Sequence, residues 1–99
     1  MNKEHVCFLC GLPAQWNDQL DRHHIFGGPF RKKSEQYGLV VFLHHCRCHL
    51  YGRNAVHVNR ESMLYVKRVG QRKLMEEGWT LERFIQEFGK NYLEVEENI

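Results

Sequence analysis

The spacing of apolar side chains divides the chain into two short β-like stretches followed by two helical ones. Leu20 to Phe26 is brief and apolar at both ends, and Tyr37 to Leu43 is rich in β-branched and aromatic residues; each predicts a strand. Gly27-Gly28-Pro29 breaks the first. Phe30 to Gln36, with three consecutive cations, is too polar for core and predicts an exposed loop. Arg60 to about Glu77 predicts a helix, with Met63, Val66, Gly70 and Leu74 as one stripe, Tyr65 and Val69 beside it, Asn59 as N-cap and Gly78 as stop. A second helix follows from Leu81, Phe84, Ile85 and Phe88 at i, i+3, i+4 and i+7, between Thr80 as cap and Gly89 as terminator. Ala14 to Gln19 and Leu50 to Val58 read as loops, the latter delivering His57 to the helix start, and Glu94 to Ile99 as a frayed acidic end. The order predicts one α+β domain: a knuckle over 1–19, a core over 20–59, helices over 60–90 and an acidic tail over 91–99.

A domain of 99 residues buries a modest core, so an additional staple is expected. Four cysteines and seven histidines offer one. Metal is preferred to disulfides because Met1 leads into Asn2-Lys3-Glu4-His5 with no apolar leader, and no stretch is long and apolar enough to span a membrane. The expectation is a cytoplasmic protein with reduced thiols. Net charge is only +2, but residues 22–73 hold eleven basic and two acidic side chains, whereas residues 74–99 hold two basic and seven acidic. The middle block would attract a polyanion; a solvated basic face is the bland alternative.

Cys7-x-x-Cys10 followed by Gly11 has the form of a zinc knuckle. A redox CxxC is the rival, disfavoured by Pro13, which argues against the long helix that motif opens. The second ligand pair is sought in His44-His45-Cys46-Arg47-Cys48-His49. His45 and Cys48 repeat the knuckle spacing, and Cys46 is a substitute for His45. His23 and His24 carry a different message: neighbours on a strand point to opposite faces, so one can hold a metal while the other works beside it as a general base. His5 and His44 read as structural or solvent-facing, and Trp16 and Trp79 as packing or stacking residues.

In this order, CxxC, a strand with His-His, a basic loop, a second strand, a Cys/His cluster and a helix, the chain resembles the HNH nucleases of the ββα-metal (His-Me finger) superfamily over roughly residues 6–59. His23-His24-Ile25-Phe26-Gly27-Gly28, then Ser34 to Val41, then Val56-His57-Val58-Asn59 before a helix containing Gly70-Gln71-Arg72, is similar to small HNH proteins of bacteriophage, including nucleases that act with the recombinase RecA. The resemblance implies a DNA endonuclease or nickase in a bacterial host cell, with structural Zn²⁺ and a catalytic Mg²⁺ or Mn²⁺. DNA is the implied partner, together with a recombinase or a packaging protein. It makes His23 the first ligand of the catalytic metal, His24 the general base and His49 the later metal histidine, with His57 in reserve. Arg31, Lys32, Lys33, Arg47 and Arg53 would hold DNA phosphates. The family's middle Asn precedes a Leu, where this chain has Gly38 before Leu39, so another group, a backbone carbonyl, His57 or Asn59, is expected to orient His24. The alternative is a zinc-stapled DNA-binding or adaptor module without cleavage.

Overall fold

The computed structural model describes residues 5–93, arranged as a small α+β unit. Strands β1 (Leu20–His24) and β2 (Val40–His44) pair antiparallel, with Leu20 opposite His44, Arg22 opposite Phe42 and His24 opposite Val40. Paired residues share a face, so Leu20, Arg22 and His24 lie on one side and Asp21 and His23 on the other. Both strands are shorter than their apolar patterns predict. Ile25 and Phe26 leave the ladder to enter the core, and β2 runs on to His44.

The basic segment is not a loop. A single 3-10 turn (Gly28–Phe30) opens helix α1 (Arg31–Gln36), whose only buried residue is Ser34. Arg31, Lys32, Lys33, Glu35 and Gln36 are good helix formers, and a tertiary contact from Ser34 fixes the short helix in place. Ser34 Oγ accepts from the Phe26 N–H at 3.0 Å and donates to the Phe26 carbonyl at 2.8 Å, satisfying a strand end that has no ladder partner. Gly38, at φ 73°, closes the helix and turns the chain into β2, so the position where an orienting Asn was expected serves a left-handed turn.

After β2, residues His45–Leu50 form a wide π-type turn. Asp18 caps it, its carboxylate accepting from the N–H groups of Cys46 (2.7 Å) and Arg47 (3.0 Å). Those donors lower the Asp18 pKa against the opposing effect of burial. Gly52 closes the turn, because a Cβ there would lie 2.0 Å from the Arg47 carbonyl oxygen. Backbone bonds from Val56 N to Cys48 O and from His57 N to His49 O then fold the following loop back along it.

Helices α2 (Arg60–Glu76) and α3 (Leu81–Phe88) form where the sequence places them, with the expected caps: Asn59 Oδ1 accepts from Ser62 N and Thr80 Oγ1 from Arg83 N, both at 3.1 Å. Val66, Gly70 and Leu74 are buried as expected. The α3 stripe is narrower than predicted: Phe84 and Phe88 are buried, while Leu81 and Ile85 stay 37% and 39% exposed. Phe26 joins the halves, its ring centroid 5.6 Å from Phe84, 4.7 Å from Phe88 and 5.5 Å from Tyr92. Buried Gln71 binds the segment after α3 by accepting from Tyr92 N and donating to Asn91 Oδ1, both at 2.8 Å. The predicted tail over 94–99 lies outside the described residues.

Gly70 lets α2 approach the end of β1. A Cβ there would sit 3.0 Å from Ile25 Cγ2 and 3.2 Å from Phe26 Cε2. In an open helix, Gly→Ala stabilises by roughly 1 kcal/mol. At this contact overpacking reverses the sign, so Gly70→Ala should destabilise by about 1–3 kcal/mol, read as a lower urea midpoint with an unchanged slope.

Candidate metal centre

Three groups of ligating side chains converge among the described residues: Cys7, Cys10, His44 and Cys48; His23, His49 and His57; and Asp21, His45 and His49. Within each, the ligating atoms lie within 4.8 Å of one another.

The first joins the N-terminal knuckle to the end of β2. Gly11 adopts φ 80° to turn the knuckle, Gly11 N bonds Cys7 O, and Phe8 N bonds Phe42 O at 2.8 Å, docking the knuckle on β2. His44 Nδ1 lies 3.3 Å from Cys10 Sγ and 4.0 Å from Cys48 Sγ. A tetrahedral zinc would place its ligand atoms about 3.4–3.8 Å apart, so four donors of the right type surround a space of the right size. His44 Nε2 lies 2.9 Å from the Pro13 carbonyl, which can only accept. The proton therefore sits on Nε2 and the Nδ1 lone pair faces the sulfurs, the arrangement a metal-binding imidazole needs. These four residues can hold a metal such as zinc.

The electrostatics of the sulfurs agree with that chemistry. Burial opposes ionisation of Cys7, but the backbone N–H groups of Cys10, His44 and Leu9 and the Cys48 thiol bring its pKa down to about 7. Cys48 is pushed up to about 12, first by burial and then by the neighbouring Cys7 and Cys10. Crowded sulfurs oppose one another's ionisation, and a cation among them would make several thiolates compatible.

This centre corrects the sequence reading at one ligand. His44, expected to be structural or solvent-facing, is buried among the sulfurs. His45, expected to pair with Cys48, projects the other way, its Nδ1 2.7 Å from Asp21 Oδ2. Cys46, the substitute, is an exposed free thiol. The strand explains both results: β2 includes His44, and the next residue must leave the opposite side.

The second group lies on the Asp21 and His23 face of β1. The His23 ring centroid is 5.1 Å from His49 and 6.0 Å from His57, and His49 is 4.8 Å from His57. Both candidates for the later metal histidine thus face His23. Asp21 Oδ2 also lies 2.8 Å from His49 Nδ1. Burial raises the Asp21 pKa, but the contacts with His49 and His45 outweigh it and keep the group a carboxylate, which can only accept. His49 therefore carries a proton on Nδ1, and in its neutral form the lone pair is on Nε2. Burial, then the proximity of His49, His57, His24 and Lys67, drives the His23 pKa down to about 4; burial and His49 lower that of His57. A neutral ring keeps its lone pair, as a ligand requires.

His24 leaves β1 on the opposite face. Its Nε2 lies 2.7 Å from Glu35 Oε1, and Arg22 grips the same carboxylate, with Nη2 2.6 Å from Oε2. Arg22 and His24 hold the Glu35 pKa down to about 2, against a smaller effect of burial. Neither Glu35 nor Asp21 was identified from the sequence, since each meets its histidine partners only through the fold. Arg31 and Lys32 line an open cleft of about 570 Å³ with His24, Gly28, Pro29 and Glu35. Lys33 points elsewhere, contacting the Glu87 side chain and carbonyl of α3, both at 3.0 Å. Arg47 lines a separate cleft with Tyr51, and Arg53 is exposed. Trp16 stands 91% exposed at the tip of the turn closed by Gln15 and Asp18, while Trp79 packs edge-on against Tyr37 with Arg83 over its ring. No helix among the described residues is long and apolar enough to cross a membrane. No family model, curated protein or solved structure matches the chain.

Two measurements check this geometry. After exhaustive dialysis the chain should retain about one zinc; His44→Ala should lose it and His45→Ala keep it, and the reverse result would restore His45 as the ligand. With weakly held ions chelated, ring-proton NMR should titrate His23 near pH 4. Because that value lies below the ordinary 6.5, the contribution of the neutral ring to stability is complete above pH 6.5 and is lost as pH falls toward 4. A midpoint near 6.5 would contradict its placement.

Proposed function

We propose that the chain is a metal-dependent phosphodiesterase acting on DNA, an endonuclease or nickase of the HNH type, with Cys7, Cys10, His44 and Cys48 as its structural zinc site. The observation that carries the reading is the division of labour along β1. His23 joins His49 and His57 on one face, while His24, its immediate neighbour, is held by a carboxylate on the other.

A phosphodiester is anionic and repels nucleophiles, so its hydrolysis needs charge neutralisation, a positioned water and help for the leaving oxygen. A divalent ion held by His23, His49 and His57 would supply Lewis-acid stabilisation at the phosphate and the departing oxygen; three imidazoles with no oxygen ligand suit a transition metal better than Mg²⁺. Asp21 orients His49 so that Nε2 is the nitrogen offered. Glu35 accepts from His24 Nε2–H, which leaves the Nδ1 lone pair to take a proton from the attacking water. Glu35 thereby fills the orienting role for which the family resemblance led us to expect an Asn, and Arg22 fixes Glu35 in turn. Arg31 and Lys32, beside His24, bind backbone phosphates with little sequence preference. Since His23 and His24 leave opposite faces, the substrate backbone is gripped across the edge of β1. A recombinase or packaging protein would direct such a small domain to its DNA.

Plasmid nicking should require added divalent metal and fall by about 10²–10⁴-fold in His24→Ala, with fold and zinc content unchanged. Glu35→Gln should lower the rate in the same direction. Charge reversal at Arg31 and Lys32 should weaken binding to unrelated DNA sequences alike. Unaltered nicking in His24→Ala would sink the mechanism; no nicking under any metal, with DNA binding intact, would favour a non-cleaving DNA-binding or adaptor module.

A further inference from the structure

Two of the three ligand groups share His49, and one neutral imidazole, with a single lone pair, cannot serve both. Asp21 Oδ2 sits 2.7 Å from His45 Nδ1 and 2.8 Å from His49 Nδ1, so one oxygen and two nitrogens converge without any help from His23 or His57. His45 is exposed and Asp21 and His49 are half-buried, which opens the group to solvent ions. A carboxylate with two imidazoles suits Zn²⁺, Ni²⁺ or Co²⁺ better than Mg²⁺ or Ca²⁺, which prefer oxygen ligands.

We propose that Asp21, His45 and His49 form a second transition-metal site, and that an ion bound there excludes one from the His23, His49 and His57 group. The reason is the proton count of the shared ring. Neutral imidazole carries one N–H and one lone pair. While neutral His49 donates Nδ1–H to Asp21, its lone pair is on Nε2, and the His23 and His57 rings lie 5.1 and 4.8 Å from its own. When Nδ1 binds an ion, the proton resides on Nε2 and that nitrogen is withdrawn. His45, which meets Asp21 through the same nitrogen, makes the same exchange. His49 is thus a two-position switch: an ion captured at Nδ1 by Asp21 and His45 silences the neighbouring site without touching the Cys/His centre.

This inference concerns ion binding alone and stands apart from whether the chain cuts DNA. The zinc-loaded chain is titrated with Ni²⁺ by calorimetry, for the parent, His45→Ala, His57→Ala and the double variant. Both substituted residues are exposed, so neither change reaches the core, and circular dichroism verifies the fold. The parent and each single variant should bind one Ni²⁺, and the double variant should bind at least about tenfold more weakly, since loss of even an outer-shell partner has that effect. In His57→Ala, the paramagnetic ion should broaden the His45 ring signals. Two Ni²⁺ in the parent would overturn the exclusion. Loss of Ni²⁺ in His57→Ala, an unbroadened His45 in that variant, or a double variant binding as tightly as the single ones would overturn the second site.

Discussion

Four ligating atoms from residues 7, 10, 44 and 48 are crowded into one small space, and most of the remaining geometry hangs on that crowding. Each fixed ligand also aims its neighbour. His44 lies among the sulfurs and His45, one residue on, reaches Asp21; Cys48 faces inward and His49, one residue on, meets His23. The Cys/His centre and the histidine clusters are therefore two readings of one backbone path. A shift of that path by a residue would exchange their side chains.

A second constraint acts from the other side of β1. Ser34 is pinned by both polar groups of Phe26, which places Glu35, the next residue, against His24 and Arg22. The carboxylate is exposed, yet two cationic or polarised partners hold it, and its depressed pKa reflects them rather than burial. Asp21 and Glu35 thus perform equivalent tasks on opposite faces of one strand. Each selects the imidazole nitrogen that stays free on the ring it contacts.

What could be read from the sequence was what is locally encoded. The caps Asn59 and Thr80 and the stops Gly78 and Gly89 announce α2 and α3 because their hydrogen bonds and left-handed turns span only a few residues. The knuckle at Cys7 and Cys10, and the opposed directions of His23 and His24, follow from spacing alone. Helix α1 was missed because its six polar residues carry no apolar stripe to mark a period; good helix formers supply the propensity, and the contact from Ser34 back to Phe26 anchors it. The fourth zinc-type ligand was misplaced because the second strand ends at His44, one residue beyond the apolar run, and a one-residue difference on a strand reverses the face. Asp21 and Glu35 escaped notice because carboxylates carry no periodic signal; their partners lie 28 and 11 residues away.

The Cys/His centre also divides the chain as a polymer. Its ligands run from Cys7 to Cys48, so an ion there closes a loop over the knuckle, both strands and α1, and leaves α2 and α3 outside it. Closing a long loop removes freedom chiefly from the unfolded chain, and that entropic benefit is confined to the enclosed residues. The helical half must be recruited by contact instead, chiefly through Phe26 and its aromatic neighbours. The two halves are thus secured by different means: an ion at the Cys/His centre would constrain the knuckle, strands and α1, whereas α2 and α3 are held by packing on the Phe26 ring.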